Sequence, residues 1–244
     1  MPVARQYILY SFFALVIALQ VLAWLQVRTD QARWLNVPQV PGENGAVAFA
    51  LGDRQFAYRT MGVMLQNLGD TGGRTTAFRD YDYNRLTEWF KLADKMDPHA
   101  RFVPTLAAFY FSATDNPAQL APLAEYLHHA GNSPEGQRWR WLAQAVYLAH
   151  YKLKDFDKAY LWAQELASIP RDDMPMWTKQ MPAFVRNGQG DKQGAYDIMI
   201  EIMRSGQNTL PREEMNAMQY YICKRILDEA QAKNDPICQD DWDG

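Results

Sequence analysis

The stretch Lys154-Asp155-Phe156-Asp157-Lys158-Ala159-Tyr160 recurs in altered form as Gly190-Asp191-Lys192-Gln193-Gly194-Ala195-Tyr196, 36 residues further along the chain. Each copy places turn-forming residues directly before a run whose apolar side chains return at helical spacing. The same spacing continues through the chain after residue 53, without the alternation that is typical of strands. The predicted helices cover residues 54–68, 83–96, 102–112, 117–129, 137–153, 156–169, 175–185, 193–203 and 211–233. The sequence therefore predicts an all-α fold.

Helix pairs that recur at about 34 residues are the signature of tetratricopeptide repeats, and several segments of this chain resemble that family. Residues 154–170 resemble the turn and second helix of the motif. The stretch Leu92-Ala93-Asp94-Lys95-Met96-Asp97-Pro98 resembles the end of another second helix. Tyr58, Gly62 and Leu65 suit a first helix.

The resemblance implies an α-solenoid of about four helix pairs over residues 54–205, in which a small residue at the Ala159 position lets two helices approach closely. A C-terminal capping helix at 206–235 and a tail at 236–244 would follow.

The chain departs from the repeat pattern in three places. Residues 71–80 form an insertion in the first pair, and the second pair, 99–130, lacks both the small residue and the Gly-Asp turn. Pro182 falls inside a first helix, where it removes a hydrogen bond or kinks the helix. A helical bundle without repeats is the alternative fold.

An apolar run without any charge occupies residues 7–25. A membrane-spanning helix needs about 20 predominantly apolar residues, and aromatic residues at both ends of this run suit the two membrane interfaces. We therefore predict an N-terminal tail and single transmembrane helix within residues 1–33. Residues 34–53, which contain several Pro and Gly, then form an irregular linker or a docked arm.

A cleaved signal peptide is the alternative reading of the same run. The run is longer than the apolar region of a signal peptide, and no small-x-small cleavage site follows it. We predict that the downstream domain is extracytoplasmic, with the bacterial inner membrane and periplasm as the expected case. Flanking positive charge does not choose the side, so a cytosol-facing domain stays open.

The resemblance also implies a concave groove, lined by the first helix of each pair, that binds a protein partner. The expected groove residues are Arg59, Gln66, Tyr110, Trp141, Gln144, Tyr151, Trp177, Gln180 and Asn187. This set is rich in aromatic and amide side chains, which suits an extended peptide or a partner helix. Trp141 and Trp177 are core residues in the alternative interpretation.

The two cysteines of the chain lie near its C-terminus. Cys223 falls within the last predicted helix, and Cys238 follows Pro236 in the tail. A disulfide between them is expected if the domain faces an oxidising compartment. A buried free thiol at Cys223 is the alternative.

Charge and local motifs argue against several classes of site. The net charge of −3, without a basic stripe, argues against nucleic-acid binding. His128 and His129 are adjacent and point about 100° apart on a helix, so they do not form a chelating pair. The stretch Gly69-Asp70-Thr71-Gly72-Gly73-Arg74 lacks the ending of a phosphate-binding loop and predicts a turn. Asp80 or Asp82 suits the cap of the next helix better than a calcium ligand.

Together these features predict a membrane-anchored, tetratricopeptide-like adaptor or scaffold, held through residues 7–25. It would bind a protein partner in its groove and help to assemble or position a membrane complex. The alternatives are a periplasmic chaperone-like holder of translocating chains and an accessory subunit held mainly by its transmembrane helix. We expect no cofactor, no metal ligand, no catalytic residue and no enzyme activity.

Overall fold

The computed structural model describes residues 2–28, 37–71, 74–134, 136–171 and 173–239. Within these ranges the chain is all-helical apart from one small hairpin, as the apolar spacing predicted. The helices are α1 (Pro2–Val27), α2 (Glu43–Phe49), α3 (Arg54–Gln66), α4 (Tyr83–Met96), α5 (Phe102–Thr105), α6 (Pro117–Gly131), α7 (Trp139–Tyr147), α8 (Phe156–Ser168), α9 (Trp177–Gly188), α10 (Lys192–Gly206), α11 (Arg212–Tyr221) and α12 (Glu229–Asn234).

Three of these helices continue into wider, π-helical segments. Helix α5 runs into Leu106–Tyr110 and then a 3-10 turn at Phe111–Ala113. Helix α7 runs into Leu148–Leu153, and α11 into Ile222–Ile226. Each therefore forms a longer helical rod than its α-helical part alone.

The hairpin lies in the predicted insertion between α3 and α4. It pairs β1 (Asp70–Thr71) with β2 (Arg74–Thr75) in antiparallel fashion. Gly69 enters it with a φ of 81°, a conformation that favours glycine. The Tyr81 hydroxyl donates to the Leu68 carbonyl and fills the space that a side chain at residue 69 would need. The segment predicted as a turn thus becomes a short, packed hairpin.

Alternate helices from α4 to α12 begin in the same way, and α3 also has such a cap, from Asp53. In α4, α6, α8, α10 and α12, the side chain just before the helix accepts a hydrogen bond from a backbone N–H of the first turn. The capping residues are Asp82, Asn116, Asp155, Asp191 and Asp228. They follow one another at intervals of 34, 39, 36 and 37 residues. Each cap stabilises its helix by roughly 1 kcal/mol, so the chain carries a local signal with the period of one helix pair.

Helices pack against their neighbours in chain order. Helix α3 contacts α4, α4 contacts α6, and from α6 to α10 each helix contacts the next. Small residues permit the close approaches, because Ala93, Ala159 and Ala195 are fully buried. A Cβ on Gly131 of α6 would lie 2.2 Å from the backbone nitrogen of Leu142 in α7, so glycine is required there.

Buried apolar side chains form two clusters. The main core runs from Val37 to Val185 and includes the fully buried rings of Phe90, Phe111 and Tyr126. A smaller C-terminal cluster contains Ala183, Ala195, Met199, Met218, Ile222 and Ile226. Many of the residues packed around this second cluster are only partly buried, so it shields less apolar surface than the main core.

The main core contains a buried ion pair. Arg138 donates to both carboxylate oxygens of Asp94, at 3.2 and 3.3 Å, and the Tyr126 hydroxyl donates to the same carboxylate at 3.0 Å. The side chains of Arg138 and Asp94 are 5% and 14% exposed. Burial raises the pKa of the Asp94 carboxyl, while the bonds from Arg138 and Tyr126 oppose that rise. This pair joins α4 and α6 to the residue that precedes α7.

The last predicted helix is interrupted, contrary to the continuous helix expected over 211–233. Leu227 is extended, with a ψ of 149°, and Asp228 then starts α12 with a reciprocal capping box involving Gln231. The break turns the chain back, and Cys223 and Cys238 form a disulfide with a Cα–Cα distance of 5.8 Å. This disulfide links the 3-10 turn at Pro236–Cys238 to the π-helical segment that follows α11.

The segment predicted as an irregular linker or docked arm is docked, and it contains the short helix α2. Val37 is 1% exposed, and Ala46 and Ala50 also lie in the main core. The carbonyls of Val37 and Pro38 accept hydrogen bonds from α4 side chains, both at 2.9 Å. Burial of the two alanines outweighs the low helix propensity of Gly45, which explains why local composition did not reveal this helix.

The turn after α2 holds a leucine in a strained backbone conformation. Gly52 N–H bonds to the Val47 carbonyl at 2.9 Å and Leu51 N–H to the Ala48 carbonyl at 3.1 Å, the pattern of a Schellman helix end. Glycine usually fills the left-handed position of this motif, but here it is Leu51, with a φ of 54°. A non-glycine residue in this conformation costs roughly 1–2 kcal/mol.

Helix α1 is long and apolar enough to cross a membrane over Leu9–Gln26, a window that is 0% buried against the rest of the chain. An N-terminal signal sequence meets the same criteria of length and composition. The residues between 28 and 37 lie outside the described ranges, as do 1 and 240–244.

Candidate functional site

An open groove of about 440 Å³ lies along three of the odd-numbered helices. One wall comes from α7 and its π-helical continuation, the other from α9, and Tyr221 of α11 closes one end. Each of these helices is the first member of a sequential pair. The groove therefore spans parts of three successive pairs.

Aromatic side chains dominate the groove. Tyr147 and Tyr151 are 45% and 56% exposed, and their ring centroids lie 5.1 Å apart. On the other side, the rings of Phe184 and Tyr221 meet edge to face, with centroids 4.8 Å apart. Such pairs form rigid apolar walls, because aromatic side chains have few rotatable bonds and lose little entropy on binding.

His150 lines the groove beneath these rings. It is 4% exposed, and among the described residues its Nδ1 has no hydrogen-bond partner. A side chain at Gly188 would collide with the imidazole, since a Cβ there would lie 2.4 Å from Nε2. Burial lowers the pKa of the His150 imidazole, and the positive charge of Lys154 lowers it further. The ring is therefore neutral near pH 7 and offers an unmet polar atom close to the groove.

Asn187 supplies an amide at the same place. Its Nδ2 donates to the Tyr221 hydroxyl at 3.0 Å and to the Arg225 carbonyl at 3.3 Å. These two bonds fix the orientation of the amide plane. Burial raises the pKa of Tyr221, so its hydroxyl stays protonated and retains a hydrogen to donate. The end of the groove is thus amphipathic rather than purely apolar.

The structure brings two of the nine predicted groove residues together here, Tyr151 and Asn187. Gln144 lies on the same helix as Tyr147 but is partly buried, and its amide donates to the Ala108 carbonyl at 3.3 Å. Trp177, at the start of α9, is 38% exposed and packs edge to face on Trp139. These two residues border the groove region without lining the cavity.

Trp141 and Gln180 require a correction, because both are buried and add no groove surface. Trp141 is 6% exposed and Gln180 is 7% exposed. Trp141 precedes the fully buried Ala145 by four residues, and Gln180 precedes the fully buried Ala183 by three. Residues at these spacings share a helix face, so both side chains point with the alanines into the core. For Trp141, the alternative core interpretation holds.

Gln66 and Tyr110 lie in a separate recess of about 300 Å³ near the hairpin. Phe78 and Tyr81 also line it, and the rings of Phe78 and Tyr110 meet edge to face at 5.0 Å. Arg59 is exposed on α3 and lines neither recess. The predicted residues therefore do not form one continuous wall.

Sequence reasoning missed Tyr147, His150, Phe184 and Tyr221. Tyr147 was detectable, since it precedes Tyr151 by four residues and shares its helix face. Tyr221 was not sought, because the last helix was interpreted as a cap rather than as part of the wall. Phe184 was detectable in the same way, since it precedes the predicted Asn187 by three residues and shares its helix face.

Among the described residues, no group of three or more His, Cys, Asp or Glu side chains is arranged to hold a metal ion. Comparisons with protein-family models, curated proteins and solved structures gave no match. The function must therefore be argued from the residues and geometry of this chain.

Proposed function

We propose that the protein is a membrane-anchored adaptor whose helix pairs form a tetratricopeptide-like solenoid and whose groove binds a segment of a partner protein. The observation that carries the proposal is the groove itself: first helices of three successive pairs contribute aromatic side chains and one oriented amide to a single open surface. In this proposal the adaptor helps to assemble or position a membrane complex.

Support for a repeat architecture comes from the regular caps and the sequential packing. The capping residues of alternate helices from α4 to α12 recur every 34 to 39 residues, and each helix from α6 to α10 packs on the next. A stack of pairs that contact mainly their neighbours leaves one face of the first helices open. That open face is where the groove lies.

The occupant that best fits the groove is a polypeptide segment. The Tyr147 and Tyr151 rings are about half exposed, so they present broad apolar area along the groove rather than an enclosed cavity. A partner's apolar side chain would insert between these rings and Phe184. Asn187 and Tyr221 would pair with polar groups of its backbone. Truncating an aromatic anchor at such a site typically costs about 2 kcal/mol of binding.

The anchor in this proposal is α1, and the domain lies in an oxidising extracytoplasmic compartment. A single apolar helix supplies the attachment, and tethering raises the local concentration of a bound partner without new contacts. The Cys223–Cys238 disulfide supports the compartment, because such bonds persist mainly outside the reducing cytosol. The bacterial periplasm is the case we propose.

Site-specific photocrosslinking in intact membranes tests the groove. We expect a photoreactive residue at position 151 to trap one discrete partner, and Phe184→Ala in the same chain to abolish that product. The matched control carries the same photoreactive residue at position 161, since Leu161 is similarly exposed, at 53%, on the surface of α8. It should not trap the partner.

Two results would contradict the proposal. Trapping that survives Phe184→Ala unchanged would remove the groove as the binding surface. A ladder of many weak products from position 151 would instead indicate a chaperone-like holder of translocating chains, because a holder has no single preferred segment.

A further inference from the structure

The junction between α2 and α3 exposes three large apolar side chains. Phe49 is 81% exposed, Leu51 is 93% exposed and Phe56 is 51% exposed, all within eight residues of chain. We call these three residues the apolar tip. Single exposed apolar side chains are common on protein surfaces, whereas three large ones within eight residues concentrate exposed apolar area in one short segment.

Packing within the chain does not explain the apolar tip. Leu51 occupies the left-handed position of the helix end, where glycine would be free of strain. Since Leu51 is almost fully exposed, its side chain recovers almost nothing from the core in return. Strain without compensating burial is a sign of a function at the surface.

Charges around the apolar tip are already satisfied. Arg54 pairs with Glu43 at 2.9 Å, and the Asp53 carboxylate accepts the backbone N–H groups of Gln55 and Phe56. Arg54 balances one of the two carboxylates, so these three groups leave one net negative charge beside the apolar surface of the tip. Such a surface suits insertion into the interface of a bilayer rather than an electrostatic contact.

The chain keeps this region close to the proposed anchor. Nine residue steps separate Arg28, at the end of α1, from Val37, which is buried in the main core. At about 3.5 Å per residue, the two points lie no more than roughly 30 Å apart. The docked arm then leads directly through α2 to Phe49 and Leu51. The end of α1 therefore lies within roughly 30 Å of Val37, which precedes Phe49 by twelve residues.

We infer that the apolar tip inserts into the lipid interface of the same membrane that holds α1, as a second contact that orients the domain. The inference rests on the membrane anchor of the proposed function. One contact fixes the distance between domain and membrane, and a second restricts rotation about the tether. The groove would then face the membrane-bound partner at a defined angle.

Depth measurements on the full chain reconstituted into vesicles of phosphatidylcholine and phosphatidylglycerol test this inference. A nitroxide is attached to Leu15→Cys in α1, to Leu51→Cys in the tip, or to Leu161→Cys on α8. All three positions are more than half exposed, so the substitutions disturb no core packing. Oxygen, which is lipid-soluble, and a water-soluble nickel complex then report the surroundings of each label.

We expect labels at 15 and 51 to be accessible to oxygen and shielded from nickel, and the label at 161 to be accessible to nickel. A nickel-accessible label at 51 beside a lipid-embedded label at 15 would overturn this inference alone. A nickel-accessible label at 15 would overturn the anchor as well. A label at 51 shielded from both reagents would mean that protein covers the tip, which also overturns the lipid assignment.

Leu51→Gly provides a second test, in which the stability of the fold should increase while the membrane contact weakens. Glycine relieves the backbone strain, so the melting temperature of the full chain should rise. Removal of the leucine should abolish the hydrogen-exchange protection that vesicles give to residues 43–56. A variant with unchanged protection, or with a lower melting temperature, would contradict the inference.

Discussion

The main core and the C-terminal cluster are built from the same kind of helix pair but differ in how completely their side chains are buried. Phe90, Phe111 and Tyr126 of the main core are fully enclosed between helices. Around the C-terminal cluster, residues such as Ile198 and Ile202 remain partly exposed. An end pair in a stack has a neighbour on one side, so less of its apolar surface is covered.

The disulfide lies where burial is weakest. It joins Cys223 to Cys238 in the C-terminal cluster, and both cysteines of the chain are used in it. A covalent link restricts the unfolded chain and so adds stability that does not depend on apolar area. Packing therefore stabilises the main core, whereas in the C-terminal cluster a disulfide supplements packing.

The largest expected effect comes from breaking the buried ion pair inside the main core. Arg138→Met should cost about 3–5 kcal/mol of unfolding free energy near pH 7, because it leaves the Asp94 carboxylate buried without its partner. Burial raises the pKa of Asp94, so its contribution to stability is present at low pH and is lost as the pH rises through the folded-state pKa. The loss in Arg138→Met should therefore shrink below about pH 4, where the carboxyl is protonated in both states.

Asp94→Asn is the matched control for that prediction. It removes the ionisable group, so its own stability lacks the Asp94 titration, and its cost relative to the parent chain should fall rather than grow as the pH rises through the folded-state pKa of Asp94. Urea unfolding of both variants at several pH values measures the difference. If the cost of Arg138→Met does not change with pH, Asp94 does not control it.

An intermediate effect is expected from reducing the disulfide in the C-terminal cluster. The closed loop spans 15 residues, which corresponds to about 3 kcal/mol in the chain-entropy account. We expect Cys223→Ser/Cys238→Ser to accelerate hydrogen exchange in residues 183–239, while exchange in the α4 segment 86–93, which contributes Leu86, Phe90 and Ala93 to the main core, changes little. Equal acceleration in both regions would show that the main core and the C-terminal cluster unfold as one unit and do not differ in local stability.

The smallest effect is expected from two equivalent caps, one in each region. Asp155→Ala and Asp191→Ala remove the same kind of cap hydrogen bond at the start of α8 and α10, 36 residues apart. Each also removes a partly exposed ion pair, with Lys158 at 3.9 Å and with Arg186 at 3.1 Å respectively, and such pairs contribute little. Each should cost about 1 kcal/mol, since cap energies are local. Urea midpoints of the two variants provide the test. A cost at Asp191 several times that at Asp155 would show that the C-terminal cluster depends on its cap as well as on its disulfide.

Capping and turn-forming residues at the helix ends made most of the helices predictable from sequence. Asp80 or Asp82 was predicted to cap the next helix, and Asp82 caps α4. Asp97-Pro98 marked the end of that helix where the structure ends it. Asp228 carried the same kind of signal, with Gln231 three residues later, but it lay inside a long apolar pattern and was overlooked. Helix α2 gave no comparable signal, because burial of Ala46 and Ala50 decides its conformation.

The groove was only partly predictable, because it depends on which face each helix turns outward. Tyr151 and Asn187 were identified from their positions in first helices. Trp141 and Gln180 occupy the same helices but face inward, and their residue types did not reveal this. Tyr221 was missed because the last helix was interpreted as a cap, whereas its first part, α11, contributes to the groove wall.

The π-helical segment that follows α7 rotates the side chains beyond it, about the helix axis, relative to those of α7. An α-helix advances about 100° per residue, so one extra residue in a turn rotates everything beyond it relative to the turn before. Tyr147 is the last residue of α7 and Tyr151 lies within Leu148–Leu153. The number of residues in this turn therefore sets the angle between the two rings as much as the residue types do. That angle determines the width available to a bound side chain. Loss of one residue there would re-aim one wall of the groove without altering its composition.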